Sequence, residues 1–228
     1  MSDADRTGAP KPDQRIHPLR AWLEEAVLGR FPPADGGATA LPPLAPGREI
    51  VMAFTGHSMI ASDLSQDALL DKGATGFGGA VDADFLRWMA GPGGRIGSHD
   101  AVLAARGTGG HGPEEKASLD DHPRVRHARS LRSEVRVFGD PDAFIVIGRG
   151  VVDRYEVSVE VAPAARGRGC AHALLRSALG VIPRDETLYA EVAPGNAASL
   201  RAFLAAGFVP IGAEVLVFPD VEARRATG

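Results

Sequence analysis

Residues 166–171, a turn rich in arginine and glycine, form the stretch of this sequence best suited to chemistry. They follow a strictly alternating segment, residues 155–161, and precede an apolar-periodic one, so the turn is predicted to join a strand to a helix. The first N–H groups of a helix have no partner within it and lie at the positive end of its dipole. Glycines let a ligand approach the main chain closely. The turn therefore predicts a site for an anion such as a pyrophosphate.

Two nucleotide-binding patterns compete for this turn, beside the alternative that it only connects two elements. A Walker-type loop requires Gly-Lys-Ser/Thr, and no lysine lies near. A dinucleotide fingerprint fits Gly167 and Gly169, but His172 stands where its third small residue belongs. Glu191 imitates the acidic ribose ligand of that pattern, yet the chain after it is short for a doubly wound sheet. This partial match leaves a nicotinamide or flavin oxidoreductase as one hypothesis for the function, ranked behind the two given below.

The turn also fits the pattern Arg/Gln-x-x-Gly-x-Gly/Ala at Arg166, Gly169 and Ala171. A second motif follows. It is an asparagine with a small residue three positions later and an aromatic residue seven positions later, in a predicted helix that ends in Gly-Phe. Its residues here are Asn196, Ser199, Phe203, Gly207 and Phe208. In these two motifs the sequence resembles the GCN5-related N-acetyltransferases (GNAT). The resemblance covers residues 155–209, extends over 120–218 and does not reach the N-terminal part.

The resemblance implies an α/β structure of the α+β type, the acyl-CoA N-acyltransferase fold with a mixed, mostly antiparallel sheet. In that fold the fourth and fifth strands splay apart, and acetyl-CoA lies in the gap as co-substrate without a metal. The pantetheine arm would pair with the backbone of the fourth strand, the amides of the turn would hold the pyrophosphate, and the aromatic residue would lie near the thioester. The implied cofactor-binding residues are Val159, Val161, Arg166, Gly167, Arg168, Gly169, Cys170, Ala171, Asn196, Ser199 and Phe203.

The activity that the resemblance implies is acetyl transfer to a primary amine by direct attack. An alkyl ammonium is mostly protonated at neutral pH, so a base must remove a proton. Glu191 is the first candidate, because it stands five residues before Asn196, where ribosomal-protein alanine acetyltransferases of this family place their catalytic glutamate. Glu160 on the adjoining strand is the second candidate, and Glu156 is expected on a solvated face. The alternative for Glu191 is a strand glutamate that faces solvent.

Phe203 departs from the family pattern, in which many relatives carry a tyrosine that protonates the departing thiolate. Phenylalanine cannot donate a proton. A thiol with a pKa of about 8.5 is nevertheless a tolerable leaving group. Two hypotheses follow: an enzyme that works without this acid, or a non-catalytic acyl-CoA sensor or interaction module.

The elements that must position these residues are readable from the sequence pattern. The C-terminal half predicts a strand at 155–161, a helix at 169–179 that Gly180 stops, a strand at 187–192 and a helix from Asn196 to residue 206. Further strands are predicted at 49–55, 134–138, 144–148 and 208–218, further helices at 17–30, 64–72, 83–89 and 125–131, and a loop at 31–47. Four arginines of the 125–131 region, Arg124, Arg126, Arg129 and Arg132, are interpreted as a solvated helix face.

Changes in composition predict the domain organisation. The predicted parts are a disordered tail at 1–14, an α+β region of unassigned type at 15–106, a linker at 107–118, an acetyltransferase-like domain at 119–219 and a tail at 220–228. The N-terminal region is interpreted either as a degenerate copy of the same fold or as a layer that covers the acceptor site.

Composition excludes several classes of protein. With 228 residues, 44% of them hydrophobic and 24% charged, the chain is not wholly disordered. A net charge of -4 argues against a general nucleic-acid binder. Cys170 is the single cysteine, which excludes an internal disulfide and suits a reducing cytoplasm, and no histidine pair has the spacing of a metal motif. We expect a cytoplasmic protein with a small-molecule or peptide amine acceptor, no nucleic-acid or membrane partner, and homodimers such as family members often form.

Overall fold

The computed structural model describes residues 16–44, 47–116 and 119–227. Within them one nine-stranded sheet carries helices on both faces. The strands are β1 (Ala38–Leu41), β2 (Glu49–Phe54), β3 (His57–Ala61), β4 (Arg95–Arg106), β5 (Ser133–Asp140), β6 (Ala143–Arg149), β7 (Tyr155–Val161), β8 (Thr187–Val192) and β9 (Val209–Phe218). The helices are α1 (Pro18–Val27), α2 (Gln66–Asp71), α3 (Ala83–Ala90), α4 (Pro123–Leu131), α5 (Cys170–Val181), α6 (Ala197–Ala205) and α7 (Val221–Thr227).

The sheet has the strand order β1-β3-β2-β9-β4-β8-β7-β6-β5. Two pairs of neighbours, β1 with β3 and β7 with β8, are parallel, and the other neighbours are antiparallel. The predicted fold class, a mixed and mostly antiparallel sheet with helices, is confirmed. A doubly wound parallel sheet, which the oxidoreductase hypothesis requires, is excluded for the part of the chain that the structure describes.

Strand alternation divides the core between the two faces of the sheet. Leu103 packs with α5 and α6, whereas the next residue, Ala104, packs with α1 on the opposite face. Phe144 likewise packs under α4, and Ile145 packs under α5. Helices α2, α3, α5 and α6 therefore cover one face, and α1 and α4 cover the other.

Several local predictions differ from the structure. Strand β1 lies inside the loop predicted at 31–47, and β3 was not predicted. Gly180 lies inside α5 rather than ending it, because Val181 is still helical. The predicted C-terminal tail carries helix α7, while the tail predicted at 1–14 lies outside the described residues.

Residues on both sides of the predicted linker contribute to the same sheet. Strands β2 and β4 pair with β9, and β4 also pairs with β8. The start of the linker is hydrogen-bonded to the C-terminal half, since the Thr108 N–H donates to the Leu179 carbonyl at 2.8 Å and the Gly109 N–H donates to the Ile182 carbonyl at 3.0 Å. The division into two independent domains stays a prediction.

No helix among the described residues combines the length and the apolar composition that crossing a bilayer requires.

A buried ion pair holds helix α7 against the sheet. The Arg224 guanidinium donates to both carboxylate oxygens of Glu49 on β2 at 2.8 Å, and to the Met89 carbonyl at 2.7 Å. Both side chains are at least nine-tenths buried. Removal of one partner leaves a buried charge uncompensated.

The substitution Glu49→Ala is expected to lower the free energy of unfolding by about 3–5 kcal/mol, because Arg224 stays buried without its carboxylate. The matched control is Glu114→Ala, since the Glu114 side chain is 78% exposed and its contact with Lys116 is a surface ion pair worth at most about 1 kcal/mol. Urea unfolding of the three proteins measures the difference. Equal losses for the two variants would contradict a role of this pair in stability.

Candidate functional site

The parallel strands β7 and β8 form a fork. They pair at two positions only, Tyr155 with Leu188 and Glu156 with Tyr189, and then diverge. Beyond Glu156, strand β7 is paired on its β6 side alone. A cleft of about 480 Å³, called here the strand cleft, opens at this divergence.

The strand cleft contains most of the residues predicted to bind a cofactor. Its lining residues are Arg124, Val159, Glu160, Val161, Ala165, Arg166, Gly167, Gly169, Cys170, Ala171, His172, Asn196, Ala198, Ser199 and Ala202. They come from α4 on one face of the sheet, from the end of β7, and from α5 and α6 on the other face, so the cleft passes between the forked strands.

The N-terminus of α5 presents free amides to the strand cleft. Gly169 caps the helix with φ 79°, and Gly167 has φ 75°, a left-handed conformation that favours glycine. The first backbone bond of the helix runs from the Ala173 N–H to the Gly169 carbonyl. Among the described residues no acceptor binds the backbone N–H groups of residues 167–172. The Arg166 Nε donates to the Val161 carbonyl at 3.2 Å and connects the turn to the end of β7.

The second motif positions α6 beside these amides. The Asn196 Oδ1 accepts a hydrogen bond from the Ser199 N–H at 3.1 Å and caps the helix. Phe203 is only 3% exposed, and its ring packs edge-on against Phe208 at 5.0 Å between centroids. Neither Phe203 nor the exposed Arg168 lines the strand cleft. Their roles in cofactor binding stay predictions.

A second cavity of about 490 Å³ lies on the α1 and α4 face of the sheet and is called here the acidic pocket. Its lining residues are Arg48, Arg95, Gly97, Ser98, Asp100, Arg124, His127, Ala128, Ser130, Leu131, Arg132, Val151, Glu156, Ser158, Glu191, Glu214, Leu216 and Phe218. Arg124 lines both cavities, so they adjoin at this side chain. The N-terminal region supplies part of its wall through Arg48, Arg95, Gly97, Ser98 and Asp100. The interpretation of this region as a layer over the acceptor site stays a prediction.

The floor of the acidic pocket is a buried cluster of three glutamates and two arginines. The Arg154 guanidinium, 1% exposed, donates to Glu156 at 2.9 Å, to Glu191 at 2.7 Å and to Glu214 at 2.9 Å. Arg132 donates to Glu156 at 2.7 Å and to Glu191 at 3.1 Å. Two positive groups thus face three carboxyl groups, which leaves one negative charge in excess when all are ionised.

The loop before β7 holds Arg154 in place. Val152 and Asp153 have φ of 47° and 60°, a left-handed conformation that is costly for a β-branched residue. A Cβ at Gly150 would stand 2.1–2.2 Å from the Glu156 carboxylate, so only glycine fits there. The Val151 N–H donates to the same carboxylate at 3.0 Å. The strained loop and the buried cluster therefore depend on each other.

Burial shifts the protonation of this cluster. Burial first, and the charge of Glu156 second, raise the pKa of Glu191 to about 8 despite the opposing charges of Arg154 and Arg132. Burial also raises the pKa of Glu214. In contrast, the guanidiniums of Arg154 and Arg132 outweigh burial and lower the pKa of Glu156. Glu191 can therefore exchange a proton near neutral pH.

The two predicted bases occupy different environments. Glu191 lines the acidic pocket with 15% of its side chain exposed, and each of its carboxylate oxygens accepts one arginine hydrogen bond. Glu160 lines the strand cleft, and its Oε2 accepts two hydrogen bonds from Arg124, at 3.1 and 3.0 Å. Both glutamates stay candidate bases, and the pKa of Glu191 is raised to about 8.

Two sequence-based interpretations of single residues are wrong. Glu156 was expected on a solvated face, but it is buried beneath the pocket, because two arginines compensate its charge. Arg132 was interpreted as part of a solvated helix face, but its side chain is 9% exposed and follows the end of α4 into the cluster. Arg154 and Glu214 were not predicted at all. The one available signal was Glu214 itself, a single charge within the apolar run of β9.

No group of three His, Cys, Asp or Glu side chains in the described ranges could hold a metal ion.

The raised pKa of Glu191 has a consequence for stability. Between about pH 4.5, the ordinary value, and about pH 8, the folded protein keeps a proton on Glu191 that the unfolded chain releases. The free energy of unfolding should therefore fall as the pH rises through this window. The substitution Glu191→Gln should make this fall smaller, because an amide does not titrate.

Urea unfolding at both ends of that window measures the pH dependence. The matched control is Glu134→Gln, since Glu134 is 75% exposed and should keep the pH dependence of the unmodified protein. A Glu191→Gln protein with an unchanged pH dependence would contradict the raised pKa.

Comparisons with known proteins gave one family model and several solved structures. Residues 137–208 match the model of the acetyltransferase (GNAT) family. No curated protein matches the sequence. Among solved structures, a GNAT acetyltransferase from Colwellia psychrerythraea is 11% identical with a TM-score of 0.37, and the match covers 54% of this chain and 56% of that one.

Two further solved structures are similar at the same level. A putative GNAT acetyltransferase from Novosphingobium aromaticivorans is 19% identical with a TM-score of 0.39, over 57% of this chain and 69% of that one. A GCN5-related N-acetyltransferase from Kribbella flavida is 17% identical with a TM-score of 0.36, over 56% and 60% of the two chains. The chain thus spans less than two thirds of two of these three proteins. The family match supports the assignment of residues 137–208, which include the fork, the α5 turn and α6, to the acetyltransferase (GNAT) family.

Proposed function

We propose that this protein transfers an acetyl group from acetyl-CoA to a primary amine. The observation that carries the proposal is the adjacency of two cavities with different chemistry. The strand cleft offers unpaired backbone amides to an anion, and the acidic pocket beside it holds a carboxyl group with a pKa of about 8. The family match over the same residues supports acyl transfer in general.

Acetyl-CoA would enter through the strand cleft. Its diphosphate would accept hydrogen bonds from the amides at the start of α5, where the helix dipole also favours a negative charge. Its pantetheine arm would run along the unpaired side of β7 near Val159 and Val161, as an added strand does. This path leads the thioester toward the fork, where Glu156 marks the last pairing of β7 with β8.

The acceptor amine would approach from the acidic pocket. A neutral amine attacks the thioester carbonyl carbon, a C–N bond forms, and the C–S bond then breaks. The proton lost by the amine nitrogen passes to the carboxylate of Glu191, and the sulfur leaves as the thiolate of CoA. A base whose pKa lies near the working pH is suited to this proton transfer. Glu191, with a pKa of about 8, would be partly ionised and able to accept the proton, and it would bind that proton firmly once transferred.

Gly167 allows a direct test of the diphosphate site. Its left-handed φ of 75° is tolerated by Asn and Asp, and no atom lies within 4 Å of an added Cβ. The substitution Gly167→Asp should weaken acetyl-CoA binding at least about tenfold relative to Gly167→Asn, because it places a negative charge beside the diphosphate without changing shape. Calorimetric titration gives both dissociation constants. Equal affinities would place the diphosphate elsewhere.

The base is tested by comparing two carboxyl groups. The substitution Glu191→Gln should lower kcat about 10²–10⁴-fold and leave the Kd of acetyl-CoA within about threefold. The variant should fold, because glutamine keeps the shape and removes the excess negative charge of the cluster. In the unmodified protein kcat should rise with pH up to about pH 8.

The control for this test is Glu160→Gln, which removes the second candidate base. It should retain kcat within about tenfold. If Glu160→Gln loses turnover and Glu191→Gln retains it, the roles of the two glutamates are reversed. CoA-thiol release with a panel of amines is the measurement.

A second candidate function is acyl-CoA binding without turnover, and Phe203 is the observation that favours it. Phenylalanine cannot protonate the leaving thiolate, and its ring packs within the core. This candidate expects tight acetyl-CoA binding and no release of CoA with any amine. Release with one amine would exclude it.

A further inference from the structure

We propose that the acceptor is a zwitterion, an amine that also carries a carboxylate about 10–14 Å from its nitrogen, and that it spans the acidic pocket. Acetylation of this zwitterion rests on the proposed function, whereas its binding in the acidic pocket does not. It is drawn from the distribution of charge along the wall of the pocket and from polar groups there that lack partners.

One end of the pocket attracts a cation. Glu191 and Glu214 lie on its floor, and the cluster to which they belong carries one negative charge in excess of its guanidiniums once Glu191 is ionised. Asp100, which pairs with Glu214 across β4 and β9, lies on the same stretch of wall. A protonated amine would be drawn to this end, where it releases one proton to solvent before the neutral amine attacks and passes its second proton to Glu191.

The other end of the pocket attracts an anion. Arg95 pairs with Phe218 across the same two strands, and its guanidinium stacks on the Phe218 ring at 3.7 Å. Arg48 lines the wall as well and donates to the carbonyls of Ser130 and Leu131. Among the described residues, neither arginine has a carboxylate partner within 4.0 Å. They are therefore free to bind a carboxylate.

The strand register sets the distance between the two ends. Glu214 and Phe218 are four residues apart on β9, and a strand rises about 3.4 Å per residue. The acidic and basic ends are thus about 14 Å apart along the ladder, and the reach of the Arg95 side chain shortens the span that a ligand must cover.

Unpartnered polar atoms in the wall point to a ligand that is itself polar. Nη1 of Arg132 and Oγ of Ser158 are buried and have no hydrogen-bond partner among the described residues, and both residues line the pocket. The Arg132 side chain is nine-tenths buried, so its free N–H groups are costly unless a bound molecule accepts from them. A zwitterion with amide or hydroxyl groups along its chain would satisfy them, and a plain alkylamine would not.

The test compares ω-amino acids of eight to twelve carbons with their methyl esters, which keep the amine and the length but lose the negative charge. Calorimetric titration of the protein without acetyl-CoA measures binding of each compound, and CoA-thiol release measures KM and kcat. The acid of best length should bind at least about tenfold more tightly than its ester and show a correspondingly lower KM.

The substitution Arg95→Gln should raise the KM of that acid at least about tenfold, leave the KM of its ester unchanged and leave kcat within about threefold. The matched control is Arg136→Gln, an arginine exposed on β5 outside both cavities, which should change neither constant. This contrast separates a binding role of Arg95 from a merely structural one.

The possible outcomes separate the two proposals. If no compound releases CoA but the acids bind more tightly than their esters, the proposed function fails and the zwitterion site stands. If esters and acids bind equally, or if Arg95→Gln weakens both alike, the zwitterion inference is overturned even when acetyl transfer occurs.

Discussion

Two arginines bridge β7 and β8 at the fork, beside the short backbone pairing of these strands. Arg132 and Arg154 each bind both Glu156 on β7 and Glu191 on β8, at the point where the backbone pairing of the two strands ends. A buried cluster of this kind is costly to assemble, because every charge must leave water. It is retained here at the one position where two parallel strands must stay together and then separate. The strand cleft, the acidic pocket and the protonation of Glu191 all depend on it.

The fork also divides the chemistry between the two faces of the sheet. The α5 face provides backbone amides and small residues, which suit an anionic cofactor, and the α4 face provides carboxyl groups and arginines, which suit a charged acceptor. Strand β4 links the α4 face to the N-terminal region. It pairs with β8 and β9, and it carries Arg95 and Asp100 into the wall of the acidic pocket. The residues outside the family match therefore shape the pocket in which the acceptor is proposed to bind.

That most residues of the predicted cofactor site share one cleft could be anticipated from the sequence, because they are local. The turn at 166–171 and the cap at Asn196 are read from consecutive residues, and Gly169, with its left-handed φ, stands where the motif has a glycine. The acceptor side could not be predicted in this way. Arg132, Arg154 and Glu214 are far apart in sequence and come together only through the strand order. A buried charge is also indistinguishable in the sequence from an exposed one until its partner is known, which is why Glu156 and Arg132 were assigned to the surface. Strand β1 was missed for a related reason, since its four residues lie in a stretch rich in proline and glycine.

The central claim is that free amides at the start of α5 hold the diphosphate of acetyl-CoA. The most direct measurement is a titration of the ¹⁵N-labelled protein with acetyl-CoA, followed through the backbone amide signals. The signals of Gly167, Gly169, Cys170 and Ala171 should shift together and saturate with a single dissociation constant. Saturable binding that leaves these four signals unchanged, or no binding at all, would contradict it.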